Sequence, residues 1–337
     1  MSHTESHRRE GRVARWGIVI LFPLLAGLLL FGAGCGGVAA PPPIWPGMAL
    51  DDDRLYVSAL DGHLWALDAQ HSGTEVWVTP PADSKDAATY HGQVSVVDDL
   101  VLVGSSKEGL HAFSADSGQL RWTAATDGPV LGRAVSQDGS VYFGSDDARV
   151  HAVELSSGNT LWSFETGERI WAAPAVADGR VYIGSLDHTL YCLDAADGAE
   201  IWRFEAGAAI ASTPAVAGGL VFFGSLDSKV YAVDAASGNK QWEFETGGWI
   251  WGGPGVYDGR VFIGSTDNTV YALDASSGEL QWKFSTADMV RATPVYQEGT
   301  VFVAGREGKL HALDAANGQR RWEYSSDDPK AGQILST

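Results

Sequence analysis

Apolar and polar residues alternate along most of this chain in short runs, and turn residues cut each run from the next. Within residues 172–205, Ala173-Pro174-Ala175-Val176 ends at Asp178-Gly179, and Arg180-Val181-Tyr182-Ile183-Gly184-Ser185 ends at Leu186-Asp187-His188. Thr189-Leu190-Tyr191-Cys192-Leu193-Asp194 ends at Asp197-Gly198, and Glu200-Ile201-Trp202-Arg203-Phe204-Glu205 closes the unit. A period of two is the signature of a strand with one buried face, and Asp-Gly between such runs signals a tight hairpin. The pattern predicts four antiparallel strands with no amphipathic helix between them.

The unit then repeats. Trp122, Trp162, Trp202, Trp242, Trp282 and Trp322 stand forty residues apart, each four residues after a Gly (Gly118, Gly158, Gly198, Gly238, Gly278 and Gly318). Gly73 and Trp77 open the series forty-five residues earlier, which makes seven copies. In the first copy the strands are expected over Trp45–Leu50, Arg54–Ser58, His63–Asp68 and Glu75–Thr79. One four-stranded meander cannot bury both of its faces, so copies have to stack, and radial stacking gives a β-propeller. The predicted fold class is all-β, a seven-bladed propeller of four-stranded antiparallel blades. An eighth blade enters only if Lys330–Thr337 begins one. Otherwise that tail is expected over the first blade, helping to latch the ring.

The copies share Ala-x-Asp-x-x-x-Gly-x-x-x-Trp, as in Ala232-Val233-Asp234 to Gly238 and Trp242, and in Ala272-Leu273-Asp274 to Gly278 and Trp282. This resembles the tryptophan-docking motif of the PQQ-like, or quinoprotein-type, propeller repeat. The resemblance covers residues 44–325. It implies that Trp77, Trp122, Trp162, Trp202, Trp242, Trp282 and Trp322 each dock on a neighbouring blade, and that the Gly permits the turn before the outer strand. Where the family has Thr before the Gly, this chain has Ser, Asp or Asn, and the motif Asp is Ser114 in copy 2 and Glu154 in copy 3.

Recurrence also separates structural carboxylates from catalytic ones. Asp194, Asp234, Asp274 and Asp314 recur with the fold and read as turn caps. A second series (Asp61, Asp147, Asp187, Asp227, Asp267, Glu307) reads as turn chemistry between the second and third strands. Cys192 stands where other copies have Ala, so it reads as a small buried residue.

Composition changes the picture at the N-terminus and at the surface. Arg8, Arg9, Arg12 and Arg15 precede an apolar run from Ile18 to Leu30, which ends in Phe31-Gly32-Ala33-Gly34-Cys35. Residues 1–35 therefore read as an export signal. A signal whose small residues end on Cys resembles a bacterial lipoprotein signal, which implies lipidation of Cys35. Gly32 stands where that family usually has Leu, so an uncleaved N-terminal membrane anchor is the alternative. Either way the remainder is expected outside the cytoplasm, with residues 36–43 as a Gly/Pro tether and 44–337 as the propeller. The 42 acidic against 23 basic residues give a net charge of −19, which argues against a nucleic-acid partner.

Function is expected where the copies differ. At the start of the innermost strand, nine residues after Trp122, Trp162, Trp202, Trp242 and Trp282, the copies carry Leu131, Trp171, Ala211, Trp251 and Arg291, and lining up the first two copies places Trp45 and, beyond the five-residue insertion, His91 at the same position. Such a ring would lie at the channel mouth and offer aromatic and cationic groups to a peptide, glycan or planar molecule. The alternative is that these Trp side chains only fill space between blades. Trp249 is likewise specific to its copy, and the insertion Pro80–Asp86 opens on the same face.

The resemblance admits a PQQ-dependent quinoprotein oxidoreductase with calcium. That class adds a vicinal Cys pair and long inter-blade insertions, which this chain lacks, and no Ser-hydrolase, phosphate-loop or zinc spacing is present. The layout of export signal, Cys, tether and lone propeller is similar to the BamB-type outer-membrane-assembly lipoproteins, whose usual ring is eight blades. The expectation is therefore a non-catalytic, monomeric, membrane-tethered scaffold for an envelope protein or peptide, with no cofactor and no metal. A ligand-sensing envelope propeller is the remaining alternative.

Overall fold

The computed structural model describes residues 47–59, 61–71, 73–81, 90–107 and 109–325. Cys35, Trp45, most of the Pro80–Asp86 insertion and the tail Lys330–Thr337 lie outside them. The described chain forms seven four-stranded antiparallel sheets, each a meander of consecutive strands, arranged as a seven-bladed β-propeller. In blade 4 the strands are Ala175–Ala177, Arg180–Gly184, Thr189–Asp194 and Glu200–Glu205. The first strand of most blades is only three residues long and starts later than the apolar run suggests. Pro174, which has no N–H, ends the usable ladder on that side. First strands of successive blades touch one another, which sets them around the central axis.

The hairpin between the first and second strands uses positive φ at both turn residues, as at Asp138 (51°) with Gly139 (78°) and Asp178 (50°) with Gly179 (70°). That backbone matches the twist of the flanking strands. Between the third and fourth strands every blade carries a register shift beside the docking position, as between Cys192 and Leu193 opposite Trp202. The extra residue bends the outer strand at the point where its Trp leaves for the next blade.

Six of the seven docking Trp behave alike. Trp77, Trp122, Trp162, Trp202, Trp242 and Trp282 are 7–9% exposed. Each donates its Nε1–H to a backbone carbonyl of the following blade (Ala115, Leu155, Ala195, Ala235, Ala275 and Ala315), over 2.8–3.1 Å. The ring of each lies on the motif Gly of that blade. A Cβ on Gly238, for instance, would stand 2.7 Å from the Trp202 ring. Trp322 departs from the expectation: it is 47% exposed, and no hydrogen bond from its indole is formed to a described residue. A motif residue docks only if a blade with a matching carbonyl and Gly lies against it, and among the described residues blade 7 has none there.

Candidate functional site

The loops from each outer strand to the next first strand, and those between second and third strands, open on the same face. A repeated device shapes this mouth. Val130, Ile170, Ile210, Ile250 and Val290 are fully buried pegs, each one residue before a position of the mouth ring. Each peg sits over a Gly of the preceding blade's second strand (Gly104, Gly144, Gly184, Gly224 and Gly264), where an added Cβ would come within 2.0–2.3 Å of it. The peg N–H donates to the carbonyl of the adjoining Ser (Ser105, Ser145, Ser185, Ser225 and Ser265) over 3.0–3.2 Å. The Gly-Ser pair thus fixes the height at which each ring residue enters the channel.

The second acidic series locks the same loops. Asp187 accepts the Thr189 N–H at 2.9 Å, the Gly167 N–H at 2.7 Å and the Tyr191 hydroxyl at 2.7 Å. Asp227 and Asp267 repeat the arrangement with Gly207 and Tyr231, and with Gly247 and Tyr271. Burial, and then the carboxylate, push the Tyr191 and Tyr271 phenols up to about 12, so both stay protonated donors. Asp194, Asp234, Asp274 and Asp314 each accept N–H groups of their own turn. Cys192 is fully buried, and burial pushes its thiol up to about 12, well away from nucleophilic range.

On this frame three of the variable residues come together. The indoles of Trp171 (blade 4) and Trp251 (blade 6) lie 6.3 Å apart, centre to centre, with planes 14° from parallel. They meet because the intervening blade contributes only the small, buried Ala211. The Arg291 guanidinium of blade 7 lies 5.2 Å from the Trp251 ring centre. At the other end, Trp171 Nε1 donates to Asp146 Oδ1 over 2.8 Å. The result is one stack, Asp146–Trp171–Trp251–Arg291, drawn from blades 3, 4, 6 and 7. An offset aromatic pair contributes roughly 0.5–1.5 kcal/mol beyond burial, and a desolvated cation–π contact up to about 2 kcal/mol.

The stack is not self-sufficient. Among the described residues, Trp251 Nε1 and Arg291 Nε are buried with no hydrogen-bond partner, and so is His91 Nδ1 elsewhere on the ring. Burial, then the nearby Arg306, hold the Arg291 pKa below its ordinary value. Burial also holds the His91 imidazole low. Leu131 and Ala211 are buried and carry no polar group to the mouth. Trp249 lies outside the stack, 54% exposed, while its backbone carbonyl accepts the Thr266 N–H at 3.0 Å.

Asp146 is invisible to a reading of the ring position alone. Its signal lies one loop away, where the matching copies have Leu186, Leu226, Thr266 and Arg306. Burial raises the Asp146 carboxyl above its ordinary value, and the Trp171 hydrogen bond and Arg169 oppose that shift. A raised pKa means that the ionised form carries a stability penalty at neutral pH. The penalty is relieved as pH falls through the raised value. Asp146→Asn keeps an acceptor for Trp171 and removes the charge. Its melting temperature should exceed wild type by about 2–4 °C at pH 7, the size of ~1 kcal/mol in a long domain, and the difference should shrink toward the ordinary carboxylate range. A pH series of paired thermal melts checks it.

Among the described residues no group of three or more His, Cys, Asp or Glu side chains converges to hold a metal ion. In this stack Trp171 and Trp251 cover one another and Arg291 lies over Trp251, an arrangement that does not offer the Trp251 ring as an open platform for a planar quinone.

The family model described as outer membrane protein assembly factor BamB matches residues 35–146, 146–250 and 227–337. A solved structure, BamB from Moraxella catarrhalis, overlays with a TM-score of 0.72 at 21% identity, covering 83% of this chain and 87% of that one. A quinohemoprotein alcohol dehydrogenase from Pseudomonas putida overlays with a TM-score of 0.66 at 15% identity, covering 82% of this chain and 66% of that one. Among curated proteins, methanol dehydrogenase [cytochrome c] subunit 1 of Paracoccus denitrificans is 36% identical over 91 residues, 25% of this chain. That stretch spans only 14% of the enzyme's own length.

Proposed function

The chain belongs to the family described as outer membrane protein assembly factor BamB, and from that membership we infer that it is a non-catalytic propeller tethered outside the cytoplasm, holding an envelope protein or peptide at its mouth face. The tether is residues 36–43, which follow either a lipidated Cys35 or an anchor retained within residues 1–35. The observation that carries the reading is the Trp171–Trp251–Arg291 stack with its two unpaired buried donors. A buried donor without an acceptor costs about 1–3 kcal/mol, which a partner recovers by presenting a carbonyl or carboxylate oxygen. Aromatic and Arg side chains in a desolvated cluster are also the residue types that dominate protein–protein affinity. His91, Trp249 and, by its ring position, Trp45 complete the candidate contact set.

The likeness to alcohol-oxidising enzymes supports a shared repeat rather than a shared reaction. In sequence it rests on a quarter of this chain and 14% of the enzyme, and in structure, at 15% identity, on the fold alone. The test is affinity capture on the full chain in detergent from envelope membranes of its own source. The Trp171→Ala plus Trp251→Ala double variant should lower recovery of a saturably bound partner at least tenfold, about 1.4 kcal/mol. Equal recovery by the folded double variant overturns the mouth as the site. Dye reduction by the full chain with PQQ, calcium and an alcohol overturns the non-catalytic reading.

A further inference from the structure

The face opposite the mouth carries the turns between first and second strands and those between third and fourth strands. Each blade junction closes there on one carbonyl, the acceptor of the docking Trp, and the donors to it depend on two positions of the preceding blade's second strand. At the 4–5 junction the Ala235 carbonyl accepts Trp202 Nε1 at 3.1 Å, the Arg180 guanidinium at 2.6 Å and the Tyr182 hydroxyl at 3.2 Å. At the 1–2 junction the Ala115 carbonyl accepts Trp77, Arg54 and Tyr56 in the same way, over 2.8–3.3 Å. At the 5–6 junction the two positions hold Leu220 and Phe222, whose side chains have no donor. Among the described residues the Ala275 carbonyl there keeps Trp242 alone, at 3.0 Å. At the 2–3 junction the positions hold Leu100 and Leu102, and the Leu155 carbonyl keeps Trp122 alone. At the 6–7 junction Arg260 is present but makes no hydrogen bond to the Ala315 carbonyl, and its buried Nε has no partner among the described residues.

A cavity opens at each of the two junctions that lack both extra donors. The one at 5–6 measures about 290 Å³ and is lined by Leu220, Phe222, Val256, Tyr257, Asp258 and Ala275 among others. All of its lining residues, and their neighbours along the chain, are described. The one at 2–3, about 330 Å³, lies beside Leu100 and Leu155 with Asp98, Asp99 and Glu154 on its walls. No Lys or Arg lines either cavity. Blades 1 and 4 define what is missing: a long stem laid along an apolar wall, ending in a planar donor group on a carbonyl that has room for a second hydrogen bond. We propose that the 5–6 cavity docks an arginine side chain of a partner protein, whose guanidinium takes on the Ala275 carbonyl the place that Arg54 and Arg180 take within the chain. Arg54 also shows a second contact, since its Nη1 lies 2.9 Å from the Asp116 carboxylate. In the 5–6 cavity Asp258 supplies the carboxylate, already engaged by the Tyr296 hydroxyl. Forked donors serve a carbonyl and a carboxylate together, which a single ammonium does less well. The net charge of −19 favours the approach of a basic segment. This site is on the opposite face from the mouth and does not depend on it.

The test is a methyl NMR titration of the full chain in detergent micelles with the peptide acetyl-Gly-Gly-Arg-Gly-Gly-amide, read at the Val256 methyl groups. Counterpart peptides carry Lys or Leu in place of Arg. The arginine peptide should shift the Val256 signals saturably, with a Kd of roughly millimolar order for one anchored side chain. The lysine and leucine peptides should each bind about tenfold more weakly or worse. Leu220→Arg puts a guanidinium into the cavity from the chain itself, as blade 4 does. That variant, shown to be folded by circular dichroism, should melt no lower than wild type and should lose about tenfold or more in affinity for the arginine peptide. The comparison of peptides on wild type stands without the variant. Absence of a saturable shift at Val256 overturns the proposal. Equal binding of the leucine peptide would reveal a merely apolar slot, and equal binding of the lysine peptide a response to charge alone; either overturns it. So does a folded Leu220→Arg variant that binds the arginine peptide as wild type does.

Discussion

Trp202→Ala should lower the stability of the propeller by about 3–5 kcal/mol, whereas Trp322→Ala should change it by less than about 1 kcal/mol at a concentration where the chain is monomeric. The two residues occupy the same place in the repeat, so any rule based on the motif gives them equal weight. The structure separates them. Trp202 is 9% exposed, donates to the Ala235 carbonyl at 3.1 Å, and lies in a cluster with Tyr182, Leu190, Val221 and Phe223. Its truncation opens a cavity between blades 4 and 5 and removes one of the three donors to the Ala235 carbonyl, which keeps the Arg180 guanidinium and the Tyr182 hydroxyl. Gly238, pressed against the indole, has no side chain with which to refill the space. Trp322 keeps a ring contact with Phe302 at 5.8 Å between centres, but it is 47% exposed and seats on no following blade among the described residues. Urea midpoints at matched low concentration measure both variants, and the Trp202→Ala variant should also melt on the order of 10 °C below wild type. Equal losses would show that blade 7 is docked as the others are.

That contrast marks how far the sequence can be read. The number of blades, the strands within them and the six seated indoles all follow from one period. Each depends on contacts that recur at fixed offsets, so seven copies state the same geometry seven times. The turn carboxylates are legible for the same reason, since Asp187, Asp227 and Asp267 repeat one set of hydrogen bonds. What resists reading depends on which copies face one another. Trp322 carries the docking motif, but its burial is decided by the next blade. Trp171 and Trp251 are separated by eighty residues and stack only because Ala211 leaves room between their blades. The ring of variable residues emerges when the copies are aligned, yet their union into one stack anchored by Asp146 requires the curvature of the array. His91 and Trp249 occupy the expected face without joining that stack.

The pegs beneath the mouth join these two kinds of information, and they yield the second large effect. A Cβ on Gly224 would lie 2.0 Å from Ile250 Cγ2 and 2.6 Å from Ile250 Cβ. Because the Cβ itself is in the way, no change of rotamer relieves the overlap, and the loop carrying Ile250 must lift. Gly224→Ala should therefore cost about 3 kcal/mol, the upper part of the range for an overfilled core. Ile250→Ala alone leaves a cavity at a fully buried site and should cost about 2–5 kcal/mol. Together the two changes should cost less than their sum, since Ile250→Ala removes the Cγ2 overlap at 2.0 Å while the Cβ contact at 2.6 Å remains and keeps part of the lift. The same variants report on the mouth. Residue 250 sets the height of Trp251, so lifting the peg should weaken the exciton signal of the stacked indoles in Gly224→Ala. The double variant should recover it in part. Strict additivity of the two stability losses would mean that Ile250 does not rest on Gly224, and that Trp251 is held at the channel mouth by its stacking contacts instead.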